Sequence, residues 1–236
     1  MASCSPPRAG AADLSPRIVF LLDVDNTLLD NDRVSEDLKE FLNEEVGAER
    51  QERYWALFET LRRELGYADY LGALQRYRLE YPRDPHLLAL SAFLIEYPFA
   101  ERLFPGALEV VRHLGRRGTT VILTDGDVVF QPRKIRRSGL FDAVGGRVLI
   151  YVHKERELDD VAARFPADHY VFVDDKVRLL DAVKRAWGAR LTTVFVRQGH
   201  YARDPDVSHY GKPDVTIERI ADILGTDLPA WMDPGG

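Results

Sequence analysis

A single cysteine, Cys4, stands in the 236-residue chain. Neither an intrachain disulfide nor a cysteine cage for a metal can be built from it. Histidines are also few, six in all, and their spacing does not match that of a zinc-ligand set. No apolar run approaches the roughly 20 residues that a membrane-spanning helix needs. Excess positive charge is missing as well, because 32 Lys and Arg against 38 Asp and Glu give a formal net charge of -6. Nucleic-acid binding rests on a basic surface, so this balance argues against it as the main task. The local exception, Arg133-Lys134-Ile135-Arg136-Arg137, reads as a solvated helix face. Residues 1–16 are rich in Ala, Ser and Pro and have no apolar signal core. They are expected to form a disordered leader, and the cytoplasm is the default compartment.

What the chain does contain is a series of short, continuous apolar runs rich in β-formers. They are Ile18–Leu22, Thr120–Leu123, Val148–Val152, Tyr170–Val173, Thr193–Val196 and a weaker Val215–Ile217. Such runs suit strands covered on both faces. Helical patterns lie between them: Leu108, Val111 and Leu114 before Gly118, and Leu179, Leu180, Val183 and Trp187 before Gly188. Alternation of this kind predicts an α/β fold, a Rossmann-like doubly wound parallel sheet with helices on both faces. In such sheets ligands bind beyond the carboxyl ends of the strands.

One stretch breaks the alternation. Tyr54, Leu57, Phe58, Leu61 and Leu65 fall at i, i+3, i+4, i+7 and i+11 of an amphipathic helix. Leu38, Phe41 and Leu42, then Leu71 with Leu74, then Leu87 to Leu94, suggest three more helices. The expected organisation is an α/β core over 17–30 and 104–236, with an α-helical cap over 31–103 inserted after the first strand. The aromatics Tyr54, Trp55, Phe58, Tyr67 and Tyr70 either line a substrate pocket or, as helical spacing favours, form the core of this bundle. Arg33, Arg62 and Arg63 read as solvated surface rather than as contacts to an anion.

The strand ends collect the chemistry. The first strand runs into Asp23 and Asp25, the second into Thr124-Asp125-Gly126, the third towards Lys154, and the fourth into Asp174 and Asp175. Carboxylates gathered at one edge repel one another and need a cation to stay ionised. Magnesium, a hard cation served by carboxylates, water and substrate phosphate, fits that need. An Asp carboxylate can attack phosphorus and form an aspartyl phosphate. A second carboxylate two residues on can handle the protons. Lys154 and Thr124 can neutralise and orient the phosphoryl oxygens. Lys134 and Lys176 are rival ammonium groups, and chain order favours Lys154.

The run Phe20-Leu21-Leu22-Asp23-Val24-Asp25-Asn26-Thr27-Leu28-Leu29 resembles the first motif of the haloacid dehalogenase superfamily. Leu123-Thr124-Asp125-Gly126 is similar to its second motif, Lys154 to its third, and Val173-Asp174-Asp175 to its fourth. The resemblance covers nearly all of residues 17–224. It implies Asp23 as nucleophile and metal ligand, and Asp25 as general acid and base with its backbone carbonyl on the metal. It implies a phosphate site at Thr124, Asp125, Gly126 and Lys154. Asp174 would be a direct Mg2+ ligand, and Asp175 a ligand through water or an orienting group. Asn26 stands where the family often has glycine, and Asp125 where asparagine is frequent. The dehalogenating members lack an acid at the position of Asp25, so its presence speaks against carbon–halogen cleavage.

The function expected is a magnesium-dependent phosphatase acting on a small phosphorylated metabolite, as a monomer or homodimer without nucleic-acid or membrane partners. A phosphomutase of the same family shares the motif set. A phospho-accepting receiver domain fits poorly, since its acceptor lies on a middle strand of a chain about half as long. A binding protein on a degenerate hydrolase fold is a further alternative, though every core motif position is filled.

Overall fold

The computed structural model describes residues 17–228 and Trp231. The expected leader, with Cys4, lies outside the described residues. The six apolar runs form six strands: β1 Ile18–Leu22, β2 Thr119–Asp125, β3 Val148–Tyr151, β4 His169–Asp174, β5 Leu191–Val196 and β6 Val215–Ile217. They pair in the order β3-β2-β1-β4-β5-β6, every neighbouring pair parallel. The chain builds outward from β1 through β2 to β3, then restarts at β4 on the other side. The order therefore reverses between β1 and β4. That is the switch point at which open parallel sheets hold ligands.

Successive strand residues point to opposite faces, and the burial follows this. Phe20 and Leu22 join one hydrophobic cluster with Val171 and Val173. Val19 and Leu21 join the other with Tyr170 and Phe172. All five residues of β1 are buried, as a central strand covered on both faces requires.

Four helices follow β1: α1 Asn31–Val46, α2 Ala48–Leu65, α3 Tyr70–Glu80 and α4 Leu87–Glu96. Asp30 starts α1 by accepting from the Arg33 amide, and Asp69 starts α3 by accepting from Gly72. Gly66, in the left-handed conformation, ends α2. The apolar stripe of α2, namely Tyr54, Leu57 and Phe58, packs into the same cluster as the inner face of the sheet. The chain leaves and returns along adjacent backbones. Asp30 N donates to Arg102 O, and Phe104 N to Leu28 O.

After the insert come α5 Ala107–Gly115, α6 Phe130–Arg137, α7 Leu140–Ala143, α8 Leu158–Arg164 and α9 Val177–Trp187. The basic run on α6 departs from the expectation of a solvated face. Phe130, Gln131, Lys134 and Ile135 form the buried side of this helix. Arg133 donates to Ile95 O, while Arg137 donates to Glu96 O and Tyr97 O. These guanidiniums satisfy carbonyls that the end of α4 leaves without helical partners. Arg136 is exposed, over the ring of Phe141. Among the described residues, no helix is long and apolar enough to cross a membrane.

Candidate active site

The turn after β1 sets the site. Asp23 N donates to Val173 O at 3.0 Å, which continues the β1–β4 ladder one residue past the strand. Asn26 then takes a φ of 59°, a left-handed conformation that asparagine tolerates better than most residues. Glycine would take this conformation without strain. The turn is locked by Asn26 Oδ1, which accepts from the amides of Asn31 and Asp32. It is also locked by Gly199, where a Cβ would lie 2.5 Å from the Cβ of Asn26.

Across the switch point, Asp23, Asp174 and Asp175 are all buried, with one oxygen from each within 4.8 Å of the others. Lys154 lies between two of them. Its ammonium is 2.5 Å from Asp23 Oδ1 and 2.6 Å from Asp174 Oδ2. The backbone amide of Lys154 donates to Asp125 Oδ1 at 2.7 Å, and its Nζ also reaches Leu123 O. Burial pushes this ammonium towards the neutral form. Asp174, Asp23 and Asp125 outweigh that and hold it well above its ordinary range. Lys134 and Lys176 do not make this contact. Lys134 pairs with Asp25 at 2.6 Å. Lys176 is half-buried, its Nζ 4.8 Å from the centre of the Tyr201 ring.

The acids do not carry their charge for free. Burial pushes Asp174 above its usual range despite the nearby Lys154. It pushes Asp175 well above, only partly offset by Lys176 and worsened by Asp174 and Asp23. Asp174 Oδ1 accepts from the Lys176 amide at 2.8 Å, as a cap for the turn into α9. Among the described residues, neither oxygen of Asp175 has a hydrogen-bond partner. Buried polar atoms are nearly always paired. Two unpaired carboxylate oxygens beside two more buried carboxylates fit a hard divalent cation with oxygen ligands.

Asp25 stands apart from that cluster. Its Oδ1 accepts from Lys134, and its Oδ2 has a long 3.5 Å contact to Gln131 Nε2. Gln131 also donates to Thr124 Oγ1 at 3.0 Å, so one amide joins the ends of the first two motifs. Asp125 and Gly126, expected at the phosphate site, make bonds of their own in the structure. The Asp125 side chain is a carboxylate that orients Lys154, and such a group repels phosphate. The amide of Gly126 is already donated to Tyr151 O at 3.0 Å. Gly126 instead leaves room for Gln131, whose Cβ would be 2.7 Å from any added Cβ.

A cavity of about 830 Å³ opens beside these groups. Asp25, Asp125, Lys134 and Lys176 line it from the sheet side, and Asn31, Trp55, Phe58, Arg62, Tyr67 and Tyr70 line it from the insert. Asp23, Thr124, Lys154, Asp174 and Asp175 are buried and are not part of the wall. The aromatics divide. Tyr54 is core, donating to Tyr70 O, while Phe58 and Tyr70 both belong to the core and edge the cavity. Arg62 is more than solvated surface, for it donates to the hydroxyl of Tyr201 across the cavity. Arg63 donates to Thr60 on its own helix, and Arg33 is taken up by Glu36 and Asp37.

Sequence reasoning missed Gln131 and the Gly199–Arg203 segment. Gln131 lies one turn before Lys134 on the buried side of α6, and that spacing was the available signal. Gly199, His200 and Tyr201 carry no periodic pattern. They reach the cavity because the loop after β5 folds back on Asp32, which accepts from the His200 amide.

No curated protein matches this chain. Among solved structures it is similar to a haloacid dehalogenase-like hydrolase from Burkholderia xenovorans LB400, with 66% identity, a TM-score of 0.85, and coverage of 90% of this chain and 99% of that one. More distant is the HAD-hydrolase YfnB from Bacillus subtilis, solved bound to magnesium, at 18% identity and TM-score 0.60, covering 89% of this chain and 97% of that one. The L-2-haloacid dehalogenase from Xanthobacter autotrophicus, with chloropropionic acid covalently bound, is similar at 16% identity and TM-score 0.55, covering 94% and 100%. These two share the fold. The model of the haloacid dehalogenase-like hydrolases matches residues 19–187. That span takes in β1 from Val19 onward, the helical insert, and Asp23, Asp25, Thr124, Lys154, Asp174 and Asp175, and the chain belongs to the haloacid dehalogenase-like hydrolase family.

Proposed function

We propose that the protein is a magnesium-dependent phosphatase that hydrolyses a small phosphate monoester through an aspartyl phosphate on Asp23. The observation that carries this reading is the buried cluster of Asp23, Asp174 and Asp175, with a second acid, Asp25, two residues on at the cavity wall. Halide leaves carbon without a proton, so a carbon–halogen hydrolase needs no general acid there. Phosphate ester cleavage needs one twice.

Asp23, Asp174 and the backbone carbonyl of Asp25 would hold Mg2+, with Asp175 orienting. The ion would supply charge neutralisation for the phosphoryl oxygens. In the first step a carboxylate oxygen of Asp23 bonds to phosphorus, and the bond from phosphorus to the ester oxygen breaks. The departing oxygen takes a proton from Asp25. In the second step water bonds to phosphorus and gives its proton back to Asp25. The bond from phosphorus to Asp23 breaks, inorganic phosphate leaves, and both acids are restored. Lys154 and the Thr124 hydroxyl bind and orient the phosphoryl oxygens. The helical insert acts as a cap whose aromatic wall limits access to compact substrates and excludes bulk water.

The test is a panel of phosphate esters assayed for phosphate release with Mg2+ and with excess chelator, beside a 2-haloacid assayed for halide. Phosphate release that depends on the cation supports the reading. Halide release without phosphate release, or full phosphatase activity in chelator, contradicts it.

A further inference from the structure

The basic run on α6 contains a lysine that the hydrolytic scheme above does not use. Lys134 is 1% exposed. Its Nζ donates to Asp25 Oδ1 at 2.6 Å and to Asn31 Oδ1 at 2.9 Å. The ring of Phe130 lies 5.2 Å away. A buried lysine costs free energy unless its charge is paired and its donors are used. Here the pairing is spent on one oxygen of the proton-handling acid, and on the first residue of the helical insert. Asn31 Nδ2 in turn donates to the Tyr70 hydroxyl at 3.4 Å, and that hydroxyl lies 2.8 Å from Ser35 Oγ. A continuous polar chain thus runs Asp25–Lys134–Asn31–Tyr70–Ser35, from the reaction centre into α1 and α3.

We infer that Lys134 is a positioning residue: it clamps Oδ1 of Asp25, so that Oδ2 is left for proton transfer, and it ties that orientation to the insert through Asn31. The inference rests on the proton role proposed for Asp25. The geometry separates the two oxygens. Oδ1 has a short charge-assisted bond. Oδ2 has only the 3.5 Å contact to Gln131, which is at the outer limit for a hydrogen bond. An aspartate without the clamp turns about its side-chain torsions, and the oxygen that must meet the ester or the water is no longer fixed. Misplacement of a reacting group by about 1 Å costs on the order of 10²-fold.

The clamp has a kinetic signature that a general structural role does not have. Lys134→Met keeps the length and apolar stem of the side chain and removes the ammonium. Its kcat should fall roughly 10²-fold on an alkyl phosphate, whose alkoxide needs a proton. On p-nitrophenyl phosphate, whose leaving group departs without a proton, the first-step rate read as the burst of nitrophenolate should fall much less, while steady turnover still falls because the second step needs Asp25 as base. KM should change little on either ester. Because the lysine acts through Asp25, adding Lys134→Met to Asp25→Asn should cost less than about 2-fold more, a non-additive cycle. Asn31→Ala should show the same leaving-group bias, more weakly.

Equal losses of the first-step rate on both esters, a rise in KM on both, or additive losses in the double variant would instead mean that Lys134 binds phosphate or only supports the fold, and would overturn the inference. If Asp25→Asn itself has no leaving-group bias, the proton role fails, and the clamp is judged on stability alone. Thermal midpoints of the two single variants and the double variant, read without substrate, should be non-additive if Lys134 and Asp25 are paired. Simple addition of the two shifts would show that they are not.

Discussion

Lys154→Met removes the one ammonium that two buried acids share, and its cost can be worked from the geometry. The Lys154 and Asp174 side chains are 1% and 0% exposed, and that of Asp23 is 3% exposed. None of the three can turn to water without opening the switch point between β1 and β4. Breaking a buried ion pair by removing one partner typically costs about 3–5 kcal/mol, because the other charge stays buried and unpaired. Here two carboxylates lose the same partner and Asp175 beside them accepts no hydrogen bond among the described residues, so the upper part of that range applies. For a chain of this size, about 4–5 kcal/mol is a fall in Tm of roughly 8–20 °C. The methionine fills the space of the lysine stem, so the loss is electrostatic. The assay is chemical and thermal unfolding of both proteins in chelator and in Mg2+. A cation at 100 times its Kd returns about 2.7 kcal/mol. The variant, holding three acids and no internal cation, should bind Mg2+ more tightly and gain more from it than the parent. A loss under about 1 kcal/mol in chelator, or a smaller gain from Mg2+ than the parent shows, would refute the reasoning.

Three further outcomes follow from the same structure. Asp174→Ala should weaken Mg2+ binding in calorimetry far more than Asp175→Ala, since Asp174 is proposed as a direct ligand and Asp175 as an indirect one; equal effects would reverse that assignment. Asp84 is buried in the insert. Burial alone would push its carboxyl up, but Tyr77, the His86 amide and ring, and Arg50 bring it down to about 2, from an ordinary value of 3.8. Its contribution of about 2 kcal/mol should be complete above pH 4 and be lost as pH falls towards 2. Asp84→Asn should lower stability at neutral pH by a similar amount and flatten that acid limb, as urea unfolding across pH would record. Gly199→Ala puts a Cβ 2.5 Å from Asn26 at a φ of 69°, and should lower both Tm and turnover by disturbing the Asp23–Asn26 turn; an unchanged turnover would mean that the turn does not depend on this contact.

The strand ends were legible in the sequence because a doubly covered parallel sheet leaves an unbroken apolar signature that stops where the chemistry begins. Asp23, Thr124 and Asp174 could therefore be located by counting to the end of an apolar run. Chain order alone chose Lys154 over its rivals; in the structure its Nζ lies against Asp23 and Asp174. Lys134 was harder to read. On an eight-residue helix with three neighbouring cations, charge alone suggests solvent, and only the placement of α4 shows where each cation goes. Arg133 and Arg137 meet carbonyls of another helix, and Lys134 meets a carboxylate more than a hundred residues earlier in the chain. His200 and Tyr201 belong to a loop whose approach to Asp32 and Arg62 is set by tertiary packing, with no periodic trace. Asp125 and Gly126 show the converse case. Their positions in the motif were clear, but their hydrogen bonds commit them to Lys154, Tyr151 and the space around Gln131.

The central claim is a covalent phosphoryl group on Asp23, and trapping it is the most direct test. Asp25→Asn, incubated with Mg2+ and p-nitrophenyl phosphate, keeps the nucleophile and a leaving group that needs no proton, but it lacks the base for the second step. Intact mass should rise by one phosphoryl group, fragmentation should place it on Asp23, and Asp23→Asn should give neither adduct nor turnover above background. A label on Asp25 or on a serine, or near-normal phosphate release by Asp23→Asn, would contradict it.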